Sequence, residues 1–222
     1  MEFGLSGIYS KYLKRVFDVA VASFGLLALS PILIAIAVKI NKEDGGAAFY
    51  RGQRVGKDGR QFDIYKFRTM VLNAGQIGGP STSEDDPRVT QIGRVLRKYK
   101  LDELPQLINV LKGEMSLVGP RPEVPSEVET YTEEERRVLT VKPGITDWAS
   151  IAFRNEGEIL KGSADPHQAY REKIRTEKLR LALSYVDDVS LKIDALIIMK
   201  TVKTVLVNSN DGQKRKRLAS WK

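Results

Sequence analysis

Apolar and polar positions alternate along this chain in three distinct ways, and each way predicts a different kind of element. From Val16 to Ile40 the chain is apolar almost without interruption, and the twenty residues from Val19 to Val38 carry no charge. As a helix rising about 1.5 Å per residue, that stretch reaches about 30 Å, the thickness of a hydrocarbon core. Ala47 to Arg54 and Gln61 to Thr69 read instead as two strands about Gly56-Lys57-Asp58-Gly59, since Asp-Gly is a hairpin signal. Side chains alternate along a strand, so Phe62, Ile64, Lys66 and Arg68 share one face and two cations project together. They form either a solvated basic edge or a clamp on phosphate.

The third pattern is helical. Ile92, Val95, Leu96 and Tyr99 make one face of a helix from about Thr90 to Tyr99, with Arg94, Arg97 and Lys98 on the other. Leu104, Leu107, Ile108 and Leu111 recur at i, i+3, i+4 and i+7, so Leu101 to Gly113 is read as a second short helix. Pro105 suits its first turn, Gly113 its end, and Asp102 falls at or near its N-cap. A carboxylate there either caps the helix, a contribution of about 1 kcal/mol, or stands beside a bound phosphoryl group. The segment alone does not choose.

Around these elements lie a Gly, Ser and Pro-containing loop from Asn73 to Asp86 and the stiff run Gly119-Pro120-Arg121-Pro122, which holds one guanidinium with little freedom to lose. Ser126 to Leu139 predicts a charged helix, and Lys142 to Trp148 a turn entering a strand. Arg154 and Asn155 follow in a polar setting. Pro166 to Tyr185 reads as a charged helix. Leu191 to Val207 is amphipathic, with Leu191, Ala195, Ile198, Val202 and Val205 aligned for core packing or for the membrane interface. The run Lys214-Arg215-Lys216-Arg217 with Trp221 is read as a disordered, lipid-touching tail.

The long apolar stretch contains Ser30-Pro31. Pro31 lacks an amide hydrogen and crowds the carbonyl of Leu27, so a bend is expected there, with the Ser30 hydroxyl serving a freed carbonyl. Basic residues flank both ends: Lys11, Lys14 and Arg15 before, Lys39, Lys42, Arg51 and Arg54 after. The positive-inside tendency then keeps both ends on one side, which favours a re-entrant helix. A kinked span, a cleaved signal peptide and a buried core helix are the competing readings.

Composition narrows the chemistry. Lys plus Arg number 36 against 28 Asp plus Glu, a formal +8 that favours anionic partners. With no Cys and only His167, thiolate and multi-histidine metal centres are excluded, so any metal must take oxygen ligands. No aromatic-rich stacking surface accompanies the basic residues, which ranks nucleic-acid binding last. The reading from another class is a noncatalytic basic scaffold on the membrane surface, in which Asp102 only caps.

Together, Lys14-Arg15-Val16-Phe17-Asp18, Ser30-Pro31, Tyr65-Lys66-Phe67-Arg68-Thr69-Met70, Asp86-Pro87-Arg88-Val89-Thr90, Leu101-Asp102-Glu103-Leu104-Pro105-Gln106-Leu107, Gly119-Pro120-Arg121-Pro122 and Pro143-Gly144-Ile145-Thr146 resemble the bacterial sugar transferases known as monotopic phosphoglycosyl transferases. The chain looks like their short, purely catalytic form. The resemblance implies transfer of a sugar-phosphate from a nucleotide diphosphate sugar, usually a UDP-sugar, to polyprenol phosphate, with release of UMP, ping-pong kinetics and a place in glycoconjugate or exopolysaccharide synthesis. It implies Asp102 as nucleophile and metal ligand, Glu103 as its dyad partner, and Mg²⁺ as cofactor. Lys66, Arg97 and Arg121 match phosphate contacts, with Arg68 and Arg154 as further candidates, and Ser30 and Pro31 match the membrane-helix break.

The fold expected is α/β: a small sheet or hairpin with several helices, mounted on the re-entrant helix and on amphipathic interfacial helices. Residues 1–40 would form the membrane segment, 41–207 the catalytic domain and 208–222 the basic tail. The expected setting is the bacterial inner membrane, monotopic, with the catalytic domain facing the cytoplasm against anionic lipid; a homodimer is allowed. Two departures stand out: Asp147 occupies a position where many members have Gly, and Ser150 to Asn155 differs from their Gln-Val-Asn-Gly-Arg-Asn. Asp tolerates a left-handed backbone better than most residues, so the fold need not suffer.

Overall fold

A computed structural model describes residues 9–77 and 81–207, so the basic run at 214–217 and Trp221 lie outside the described residues. The first long element is helix α1 (Lys14–Asp44), which continues through Pro31. Ser30 Oγ donates to the Leu27 carbonyl at 2.8 Å, the carbonyl that an amide at position 31 would have served. Gly45, at φ 72°, ends the helix and returns its N–H to the Asn41 carbonyl. Asp18, Ala22, Ile36 and Ile40 are buried. Phe24, Leu27 and Ile34 are 74, 77 and 64% exposed, an apolar surface of the kind that meets lipid or another protein.

Both halves of α1 lean on the same body. Ala22 packs among Ile64, Leu107, Val110 and Met115, while Ile36 and Ile40 pack with Ala48, Phe67 and Leu96.

The hairpin is as expected. Strands β1 (Phe49–Val55) and β2 (Gln61–Phe67) pair antiparallel with Tyr50 opposite Lys66. Asp58 and Gly59 take the left-handed conformations that such a turn demands. Helix α2 (Gln91–Tyr99) is capped by Thr90, whose side chain accepts from the Gly93 amide. Gly93 is required for packing: a Cβ there would lie 2.1 Å from the Thr69 carbonyl oxygen.

Helix α3 (Gln106–Lys112) ends at Gly113, φ 83°, in the left-handed cap the sequence suggests. Strands β3 (Ser116–Val118) and β4 (Gly144–Thr146) form a second, parallel ribbon. The helices that follow β4 are α4 (Trp148–Ala152), α5 (Glu156–Leu160), α6 (Pro166–Tyr170), α7 (Thr176–Asp187) and α8 (Leu191–Val207), with a π-helical turn, Arg171–Arg175, between α6 and α7. α8 buries Ile197 against Val118 and Tyr185, so one of its faces belongs to the core, while Met199 and Val202 stay exposed. The fold is therefore α/β with two small ribbons and mostly helices.

One expected element is broken. The charged helix predicted from Ser126 to Leu139 is a turn at Pro125–Val128 followed by a tight 3₁₀ segment at Glu135–Thr140. Thr132 and Glu135 form a reciprocal cap, each side chain bonding the other's amide, and this starts a new turn. Tyr131, just before it, is buried with Val55 and Val138.

Candidate active site

The site begins where α2 stops. Lys100 adopts φ 57° and turns the chain out of α2 into a 3₁₀ turn, Leu101–Glu103. Asp102 is not a cap: no side-chain cap bond forms on this turn or on α3, whose N-cap position is Pro105. Its side chain is only 9% exposed, and Oδ1 is buried with no hydrogen-bond partner. Leaving such an atom unpaired costs about 1–3 kcal/mol, so its retention calls for a reason beyond the fold.

Glu103 is the opposite case. It accepts from Lys66 Nζ at 3.0 Å and from both ends of the Arg121 guanidinium, at 2.6 and 3.3 Å. These bonds tie β2, the 3₁₀ turn and the Pro120-Arg121-Pro122 run into one cluster.

The two neighbouring carboxylates are pushed apart electrostatically. Burial raises the Asp102 carboxyl above its ordinary value, and the adjacent Glu103 charge adds to the rise; Lys66, Lys100 and Arg97 oppose both. Burial also pushes Glu103 up, but Arg121 and Lys66 together outweigh it and hold Glu103 well below its ordinary value. Glu103 thus stays anionic and bound to cations, while Asp102 is the more basic of the two carboxylates.

Of the predicted cations, Lys66, Arg97 and Arg121 all act on the Asp102–Glu103 pair. Arg97 is steadied by Thr69, whose Oγ1 accepts from its Nε at 2.9 Å. Arg68 and Arg154 are placed elsewhere. Arg68 grips Asp44 with its two terminal guanidinium nitrogens and the Ala47 carbonyl with Nε, so it fastens the end of α1. It lies one residue beyond β2 and does not project with Lys66. Arg154 donates to the Thr204 carbonyl on α8.

Lys100 is the group the sequence reading missed. It stands two residues before Asp102, and its charge acts on both carboxylates. Its position directly after a basic helical face was the available signal. Asp147, where a left-handed backbone was considered, is extended at φ −158° and caps α4 by accepting from the Ser150 amide at 2.6 Å. It also accepts from the Arg121 amide at 3.3 Å, which helps to seat that residue.

Among the described residues no group of three or more acidic or imidazole side chains could hold a metal alone. Asp102 nevertheless presents one unpartnered carboxylate oxygen. Magnesium is characteristically held by one or two carboxylates plus substrate phosphates and water, and that donor set is compatible with this site.

A model of the bacterial sugar transferase family matches residues 9–208. The UDP-N-acetylgalactosamine-undecaprenyl-phosphate N-acetylgalactosaminephosphotransferase of Aeromonas hydrophila is 39% identical over 204 residues, covering 90% of this chain and 45% of that protein. The exopolysaccharide production protein ExoY of Sinorhizobium fredii is 38% identical over 210 residues, covering 88% of this chain and 86% of its own length. The undecaprenyl-phosphate galactose phosphotransferase of Salmonella typhimurium is 38% identical over 212 residues, covering 89% of this chain and 41% of that protein. The chain thus matches less than half the length of two of these relatives and most of the third.

Proposed function

The chain belongs to the bacterial sugar transferase family, and from that premise we propose that it moves a sugar-1-phosphate from a UDP-sugar to undecaprenyl or a similar polyprenyl phosphate. The observation that carries this reading is the unpaired Oδ1 of Asp102, buried among Lys66, Arg97, Lys100 and the Glu103–Arg121 pair.

An Asp102 oxygen attacks the phosphorus that bears the sugar. A bond forms from carboxylate to phosphorus, the bond from that phosphorus to the bridging oxygen breaks, and UMP departs with the bridging oxygen. A phosphate oxygen of the polyprenol phosphate then attacks the aspartyl phosphate, forming the lipid diphosphate and releasing the carboxylate. No proton need be removed from an ionised Asp102, so the barrier to overcome is repulsion between like charges. Lys66, Arg97, Lys100 and Arg121 offset that repulsion, and Glu103 holds two of them in place. Asp102, together with diphosphate oxygens, would hold Mg²⁺, which supplies further charge neutralisation at the phosphoryl oxygens.

The exposed apolar surface of α1 supports placement in a membrane. Because both of its halves pack on one body, a re-entrant course that keeps that body on the cytoplasmic face fits best. The scaffold reading needs Asp102 as a cap, and it makes no cap bond. Release of UMP from a UDP-sugar, in detergent with polyprenyl phosphate and Mg²⁺, tests the proposal. Turnover that persists in Asp102→Ala would refute it.

A further inference from the structure

α3 follows the Asp102–Glu103 turn, the chain reverses at Gly113, where the Glu114 and Met115 amides return to the Asn109 carbonyl, and β3 leads on to Arg121; because Arg121 comes back to Glu103, α3 and β3 are the two arms of a V. The Glu103–Arg121 pair, at 2.6 Å, closes its open end. Two residues of α1, three positions apart and so on one face of that helix, hold the closed end. Arg15 donates from Nη1 to the Val110 carbonyl at 2.5 Å and from Nη2 to the Leu111 carbonyl at 3.0 Å, serving two carbonyls at the end of α3, the first of which also accepts from the Gly113 amide. Asp18, 2% exposed, accepts from Ser116 Oγ at 2.7 Å and from the Leu117 amide at 3.1 Å, and so binds the start of β3. On the far side, Tyr185 donates to the Val118 carbonyl at 3.1 Å.

We propose that Arg15 and Asp18 are positioning residues for phosphoryl transfer: they fix the angle between α3 and β3, and through it the placement of Arg121 and Glu103 beside Asp102. The base of α1 is then the part of the active-site frame that decides how wide the charged cluster opens. A small rotation at the apex is magnified at the mouth, because both arms extend away from Gly113 before reaching the reacting groups. Neither residue touches the reacting atoms, so its loss should affect the rate of the chemical step more than donor binding.

The kinetic arm rests on the proposed transferase reaction; the distance arm does not. The chain has no cysteine, so spin labels can be attached at Tyr99→Cys and Ser126→Cys, two exposed positions in the chain shortly before Asp102 and shortly after Arg121. With Asp18 intact, the label-to-label distance should be narrowly distributed. Asp18→Ala should broaden it and lower kcat about 10- to 100-fold, with donor KM changing less than about 3-fold.

Asp18→Asn keeps an acceptor for the Leu117 amide and offers its Nδ2 to the Ser116 hydroxyl, so it should restore both readouts. If Asp18→Ala does not fold, Ser116→Ala, which removes only one of the two bonds, should shift both readouts in the same direction by less. An unchanged distribution in the labelled Asp18→Ala or Ser116→Ala protein overturns the proposal, as does Asp18→Asn behaving like Asp18→Ala. If the intact chain turns over no UDP-sugar, the transferase reading fails while the distance measurement still decides the role of Asp18.

Discussion

Asp194 and Asp102 are both buried aspartates, at 2% and 9% exposure, yet their surroundings differ completely. Asp194, on α8, accepts from Tyr9 Oη at 2.6 Å, from Tyr185 Oη at 2.8 Å and from Lys14 Nζ. It joins the start of α1 to α7 and α8. Asp102 sits among cations, but its Oδ1 takes no hydrogen bond. A carboxylate whose oxygens are both filled with donors is committed to the fold. One held near positive charge with a buried oxygen left unpaired carries a cost that the fold does not require.

The contrast predicts opposite responses to the same substitution. Asp102→Ala should reduce turnover at least about 1,000-fold, as loss of a covalent nucleophile does, while leaving stability unchanged or slightly raised, since no bond on Oδ1 is lost. Asp194→Ala should destabilise by about 3–5 kcal/mol because Lys14 and two tyrosines lose a buried partner. Denaturant unfolding in detergent, with turnover per folded molecule measured alongside, checks both. A stable Asp194→Ala or an unfolded Asp102→Ala would break the comparison.

Next in size are the cations. Lys66→Met and Arg121→Ala each remove a partner of Glu103 and should lower kcat/KM for the sugar nucleotide about 10- to 100-fold.

The acid side of the pH–rate profile sharpens the point. Asp102 must be ionised to attack, and its pKa is raised, so kcat/KM should fall with decreasing pH at values above an ordinary aspartate's limb near about 4. Lys66 lowers that pKa, so Lys66→Met should move the limb to higher pH. Glu103 raises it, so Glu103→Gln should move the limb to lower pH even as the maximal rate drops. A limb that stays fixed in both variants would show that it does not belong to Asp102.

The smallest effects belong to Arg68→Ala and Arg154→Ala, which should change donor KM less than about 3-fold because both side chains are engaged far along the chain.

Those two arginines also show where the sequence stops informing. Period-two alternation places Arg68 on the face of Lys66, but β2 ends at Phe67, and Asp44, at the end of α1, draws the side chain away. Nothing local announces a partner so distant in sequence. Local signals were read correctly where punctuation was strong: Asp58-Gly59 in the hairpin turn, Gly113 after α3, and the Ser30 hydroxyl on the Leu27 carbonyl. The gathering of Lys66, Arg97 and Arg121 about Asp102 followed from family motifs and not from periodicity. Lys100 escaped because its left-handed turn appears only once α2 has ended. Asp102 lies outside the expected N-cap position because the chain enters α3 through a 3₁₀ turn and Pro105.

The most direct test is to mix the protein with a UDP-sugar in the absence of polyprenyl phosphate and weigh it by intact-protein and peptide mass spectrometry. The account predicts one sugar-phosphate attached to the peptide containing Asp102, absent in Asp102→Ala and discharged when polyprenyl phosphate is added. An adduct on another residue, or turnover by an enzyme that never carries one, would contradict it.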